Sequence, residues 1–218
     1  MMKLSTFAEL SVEEVANTVT HGAGLMLSVV GFVVLIVMAL VNGDAWQIAS
    51  TLVYGSSLVA LYLASTLYHS ATTPHRKSLL QLLDHCGIYL LIAGSYTPFL
   101  LVVLRGGIGF PMLAVVWVIA IFGIAMKVIF RDRLKPLGIT LYLTLGWLGL
   151  IAAGPMYNAL GLTPLLFIMG GGLSYTAGMI FFGWKSIKHH HAIFHVFVLG
   201  GSILHYIVIA AYIVPRHF

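Results

Sequence analysis

The 218-residue chain is 60% hydrophobic, only 8% charged, and has a mean hydropathy of +1.03. A water-soluble domain of that composition would aggregate, so the chain reads as a polytopic membrane protein with room for about seven spans and no sizeable soluble domain. The formal charge of +5 is scattered between apolar runs, which argues against nucleic acid as a partner, and the single cysteine, Cys86, excludes an intrachain disulfide.

Taken in order, the chain opens with Glu9, Glu13 and Glu14 ahead of the first apolar run, which argues against a secretory signal peptide. Ser11 and Glu14 form a capping-box pattern, with Leu10 and Val15 placed as a hydrophobic staple, so a helix is expected to start at Ser11. Residues 1–20 are expected to form a short cytoplasmic segment with a capped amphipathic helix, and residues 21–218 the membrane domain. Seven apolar segments follow: Gly22 to Val41, Ala45 to Tyr68, Cys86 to Leu104, Ile108 to Met126, Leu137 to Met156, Pro164 to Trp184, and Ala192 to Pro215. Each is long enough to cross roughly 30 Å of hydrocarbon as a helix. The predicted fold is an all-α seven-helix bundle.

Short turns such as Asn42-Gly43-Asp44 and Gly106-Gly107 make neighbouring helices antiparallel. One side of the membrane then holds Lys3, Arg76, Lys77, Lys127, Arg131, Arg133, Lys135, Lys185 and Lys188, the other Arg105 and Arg216. The positive-inside rule places the N-terminus in the cytoplasm and the C-terminus outside. Gly170, Gly171, Gly172, Gly178, Gly183, Gly200 and Gly201 read as small residues that let helices pack closely, and Pro98 as a local kink in the third span.

This topology gathers scattered polar residues at one depth. His69 ends the second segment, Asp84 opens the third, and His191 and His195 stand four apart at the start of the seventh, on one helical face. Asn17 and His21 lie one turn apart near the same end. Ionisable side chains inside a membrane helix cost several kcal/mol unless paired, hydrated or metal-bound, so this gathering points to a functional site. Three imidazoles with one open position suit catalytic zinc, although iron, cobalt or nickel would also be accepted. Asp84 is placed to act on a metal-bound water, or alternatively to cap its helix. Ser65, one turn before His69, is placed to hydrogen-bond the water or a substrate carbonyl, or to bond back to its own helix at Ala60 or Leu61. His85 and Cys86 point off the face of Asp84, His205 is about 15 Å beyond His195 and out of reach of the metal, and His75, His189, His190 and His217 read as rim residues.

The runs Glu13-Glu14 with Asn17 and Thr20-His21-Gly22, Ala64 to His69, Asp84 to Phe99, and His191 to His195 with His205-Tyr206 together resemble the bacterial haemolysin III family, within the progestin and adipoQ receptor superfamily that includes the adiponectin receptors. The resemblance covers almost the whole chain. It implies a seven-helix bundle with a cytoplasmic N-terminus in the bacterial inner membrane. It also implies zinc on His69, His191 and His195, Asp84 at the zinc-bound water, Ser65 beside it, and a role in membrane lipid and fatty-acid homeostasis. The expected activity is hydrolysis of an amide or ester bond of a membrane lipid, as in the ceramidase-like relatives. The alternatives are a lipid or membrane-state sensor with structural zinc, and a pore-forming haemolysin. With almost no sequence outside the spans, a large protein hormone is not an expected partner; the expected partner is a membrane lipid or fatty acid.

Overall fold

A computed structural model describes residues 10–216. Residues 1–9, with Lys3 and Glu9, residues 217–218, with His217, and the side chains of Asp132 and Lys135 lie outside the described residues. Among the described residues the protein is all-helical, and seven helices are long and apolar enough to cross a membrane.

The first span, α1 (Val12–Asn42), is one uninterrupted helix from its cap inward. Ser11 accepts the backbone N–H of Glu14, as expected of an N-cap, but the Glu14 carboxylate turns away to other partners. Asp44 caps α2 (Ala45–Ser70) with a complete capping box to Gln47. Asp44 lies in the turn between spans, where hydrogen bonds from the backbone of Gln47 and Trp46, and the Arg105 guanidinium, hold its carboxyl below the usual range.

The third span, α3 (Pro74–Pro98), starts twelve residues before the apolar segment at Cys86. Its opening turns carry His75, Arg76 and Lys77, which the hydropathy pattern reads as loop. Pro74 at the first helical turn fixes the backbone there, and the link from α2 shrinks to Ala71–Thr73. Cations at a helix N-terminus oppose the helix dipole, and the Glu14 carboxylate offsets this at Lys77. Pro98 is followed by a π-helical turn, Phe99–Val103, that completes the span.

After α4 (Gly109–Phe130), the fifth span is broken: α5 (Lys135–Trp147) and α6 (Ala153–Leu160) are joined by a 3-10 turn over Leu148–Ala152. A broken helix in lipid leaves backbone groups unpaired unless protein covers them. Tyr96 of α3 does this, its hydroxyl accepting the N–H of Gly149 at 2.7 Å and lying 2.9–3.0 Å from the carbonyls of Gly146 and Leu145. Gly161, at φ +84°, joins α6 directly to α7 (Leu162–Gly183), and α8 (His190–Val208) ends in a second π-helical turn, Ile209–Ile213. Gln47 reaches across from α2 to the carbonyls of Ile213 and Val214 at 3.1 and 3.2 Å, satisfying acceptors that the π turn frees.

The helices α2 and α3 are the most enclosed. Gln47, Ser50, Thr51, Ser57, Ser65 and His69 of α2 are all buried, so the polar residues that lower its hydropathy face the bundle interior. By contrast α1 exposes a broad face with Met26, Val30, Val37 and Leu40, suited to lipid. The small-residue reading holds at Gly171, against the His205 ring, and at Gly201, against Tyr175; Gly183 has open space around it. The bundle end that holds the start of α1 also carries Arg76, Lys77, Lys127, Arg131, Arg133, Lys185 and Lys188, and the opposite end carries Arg105 and Arg216.

Candidate metal centre

Three helices meet at that basic end. His69 stands in the last turn of α2, while His191 and His195 leave one face of the first turns of α8. Their ring centroids form a triangle with sides of 4.5, 5.0 and 5.0 Å. One nitrogen from each lies within 4.8 Å of the other two. Nitrogens bound at about 2.0–2.1 Å around a tetrahedral ion stand about 3.4 Å apart, so each ring closes the set by moving inward less than about 1 Å.

Two of the histidines have their tautomers fixed from behind by α1. The Nδ1 of His69 is 2.6 Å from Glu14 Oε2, and an ionised carboxylate can only accept, so the proton sits on Nδ1. The lone pair is left on Nε2, which is buried with no hydrogen-bond partner. His195 Nδ1 is 3.1 Å from Thr20 Oγ1. The Thr20 hydroxyl lies 2.9 Å from the carbonyls of both Ala16 and Asn17 and spends its proton there, so it accepts from His195 Nδ1–H. His195 therefore also presents an Nε2 lone pair. A buried, unpartnered imidazole nitrogen is costly, and three converging neutral imidazoles form a donor set that fits a divalent metal.

Asp84 and Ser65 come to the same place. Asp84 is buried three turns inside α3, whose N-cap is Thr73, so it does not cap the helix. Ser65 is fully buried, and its Oγ is 2.6 Å from His21 Nδ1. It does not bond back to Ala60 or Leu61. The His21 ring stacks on His195 with centroids 3.4 Å apart. His205 sits away from the cluster, its Nε2 3.2 Å from the Ile168 carbonyl, as the spacing predicts. His190 is more than a rim residue: its Nδ1 is 3.1 Å from the Phe181 carbonyl, and its Nε2 is 3.7 Å from Glu13.

The cluster opens into the bundle. A chamber of about 270 Å³ is lined by Asp84, His191 and His195 at one end and by apolar side chains such as Ile92, Leu100 and Met156 beyond. His69 and Ser65 stand behind this wall.

Comparison with known proteins places this architecture. The family model described as haemolysin-III related matches residues 11–206. The chain belongs to the haemolysin III family. It is 46% identical to a hemolysin-3 homolog of Bacillus subtilis (strain 168), covering 94% of this chain and 97% of that protein. It is 41% identical to hemolysin-3 of Bacillus cereus, covering 98% and 97%. A more distant relative, the human monocyte to macrophage differentiation factor, is 31% identical over 92% of this chain and 84% of its own length, which links the haemolysin III chain to the adiponectin-receptor-like proteins. This haemolysin III protein is a multi-pass integral membrane protein.

Sequence reasoning named the three histidines, Asp84 and Ser65, and the structure brings all five together. It missed the backing by Glu14 and Thr20 and the contact of His21 with Ser65. The available signal was the spacing of Glu14, Asn17 and His21, three and then four residues apart, which puts all three on one face of α1.

Proposed function

We propose that this protein is a zinc-dependent intramembrane hydrolase that cleaves an amide or ester bond of an acyl lipid and releases a fatty acid, in an inner membrane with its N-terminus in the cytoplasm. One observation carries the reading: Asp84, His191 and His195 line an apolar chamber, so the metal centre faces space for an acyl chain. Structural metal sites are closed by their ligands, whereas catalytic ones keep a position open. The orientation is supported by the cations gathered at the bundle end that holds the site.

His69, His191 and His195 would hold the zinc, which would supply Lewis acidity toward an acyl carbonyl and a water. Asp84 takes the proton from the attacking water and delivers it to the departing amine or alcohol. Ser65, held by His21 at 2.6 Å, steadies the Asp84 carboxylate that faces the chamber. The apolar walls keep bulk water from the acyl chain and orient the bond to be cut.

The test is Asp84→Asn, with elemental analysis of the purified protein and lipidomics of membranes from cells overproducing each form. Fatty-acid release from the responsive lipid falls by roughly 10²–10⁴-fold while zinc stays bound. Unchanged turnover with zinc bound refutes the mechanism. Zinc bound by the unmodified protein with no lipid consumed replaces the hydrolase by a sensor in which the ion clamps α2 to α8.

A further inference from the structure

Beside the chamber lies a second, smaller cavity of about 130 Å³, lined by Ser78, Gln81, Leu82, His85, Lys127 and Arg131. His85, Lys127 and Arg131 line both spaces, so they form the boundary between them. The chemistry changes across that boundary: the chamber beyond is apolar, whereas among the described residues five of the six around the small cavity are polar, two of them cationic and none a carboxylate.

The sequence builds this cavity from two helices. Ser78, Gln81, Leu82 and His85 recur at three- and four-residue steps, so they share one face of α3. Opposite them, Lys127 stands in the last turn of α4, and Arg131 follows four residues later where the helix stops. Arg131 ends the helix at φ 54°, a conformation rare outside glycine that redirects the chain there. Hydroxyl, amide and imidazole groups thus face an ammonium and a guanidinium, a set that donates hydrogen bonds to an anion.

We propose that this cavity is a headgroup site that selects acyl lipids bearing an anionic phosphate or carboxylate head. The assignment rests on the reading of the chamber as an acyl site and names the class of lipid it takes. Register along α3 supports it. Gln81 and Ser78 precede Asp84 by three and six residues, about 5 and 9 Å along the axis toward the helix start. A head held there leaves a spacer of a few bonds to reach Asp84, with the acyl chain running into the chamber. Arg131 grips the head through its planar fork, and Lys127 adds a point charge.

The test measures binding without turnover. The full-length protein, in nanodiscs of phosphatidylcholine alone, is titrated with 1-O-hexadecyl-glycerol 3-phosphate and with 1-O-hexadecyl-glycerol, whose ether bonds resist hydrolysis. The phosphate lipid binds at least ten-fold more tightly than the neutral one. In the double variant Lys127→Gln/Arg131→Gln that preference collapses to below about two-fold, while affinity for the neutral lipid and the melting temperature stay put. Equal affinity of the unmodified protein for the two lipids overturns the headgroup site, as does a preference that survives the double substitution. Inorganic phosphate that binds as tightly as the phosphate lipid overturns the lipid assignment in favour of a free-phosphate site. The preference is read whether or not any bond is cut. Its loss with hydrolysis intact removes this assignment alone, and its presence without hydrolysis removes the reading of the chamber as catalytic.

Discussion

Removing the Glu14 carboxylate tests whether α1 is part of the metal centre. Glu14 holds the His69 Nδ1 proton at 2.6 Å and shares its other oxygen with Lys77. The His69 side chain is 4% exposed and that of Glu14 23%, so the bond is largely shielded from water. Substituting such an outer partner of a metal ligand lowers affinity about 10–100-fold, or about 1.4–2.7 kcal/mol. Because Glu14 is partly exposed and shares its charge with Lys77, the lower half of that range applies to Glu14→Gln, whose carbonyl still accepts from Nδ1. Glu14→Ala, which also frees the ring to rotate, reaches the upper half. Lys77→Met is the control: it removes a neighbour of Glu14 without touching the bond to His69 and leaves affinity within about threefold. The assay is equilibrium competition with a chelator on purified protein, checked by metal content. Wild-type affinity in both Glu14 variants would mean that His69 is oriented without α1 and that the tautomer argument is wrong.

Two further substitutions probe the scaffold around the site. Tyr96→Phe removes the hydroxyl that bridges the broken fifth span, leaving the Gly149 N–H and a carbonyl unpaired at a cost of about 1–3 kcal/mol; thermal unfolding in detergent reports the loss, and an unchanged midpoint would show that the break satisfies itself. Gln47→Leu strips donors from the carbonyls of Ile213 and Val214 at the end of the seventh span and costs a similar amount, with amide exchange rising first in the π-helical turn at Ile209–Ile213. Exchange that stays flat there would reassign Gln47 to a merely local role at its own helix cap.

The seven spans and the five central residues were legible because hydropathy and spacing act within one helix or between helices whose order the topology fixes. His191 and His195 share a face by arithmetic alone, and His69 joins them once the second and seventh spans are antiparallel. What stayed hidden depends on contacts between helices. Glu14 carries a capping signal, and nothing local says that its side chain leaves the cap for His69. The opening of α3 looked like loop because His75, Arg76 and Lys77 are polar, yet helix geometry continues outside hydrocarbon wherever the backbone permits. The break in the fifth span lies over Leu148–Ala152, inside what hydropathy reads as one continuous apolar segment, and Tyr96 from another helix supplies its missing partners.

The distribution of polar side chains divides the bundle into two parts. Glu14, Thr20 and His21 from α1, Ser65 and His69 from α2, Asp84 from α3, and His191 and His195 from α8 gather at one end, where α1 holds His69 through Glu14, His195 through Thr20 and Ser65 through His21. The helices α4 to α7 add walls: Gly123, Met156, Leu165 and Ile168 line the chamber. Side chains in the walls can therefore change length, width or headgroup preference with little effect on the tautomers of His69 and His195 or the placement of Asp84. The small cavity around Lys127 and Arg131 falls on the junction of the two parts, where α3 turns its polar face to α4. A change of lipid class is then carried by the end of α4 while the metal centre keeps its geometry, which is why the headgroup and metal variants are expected to act on separate readouts.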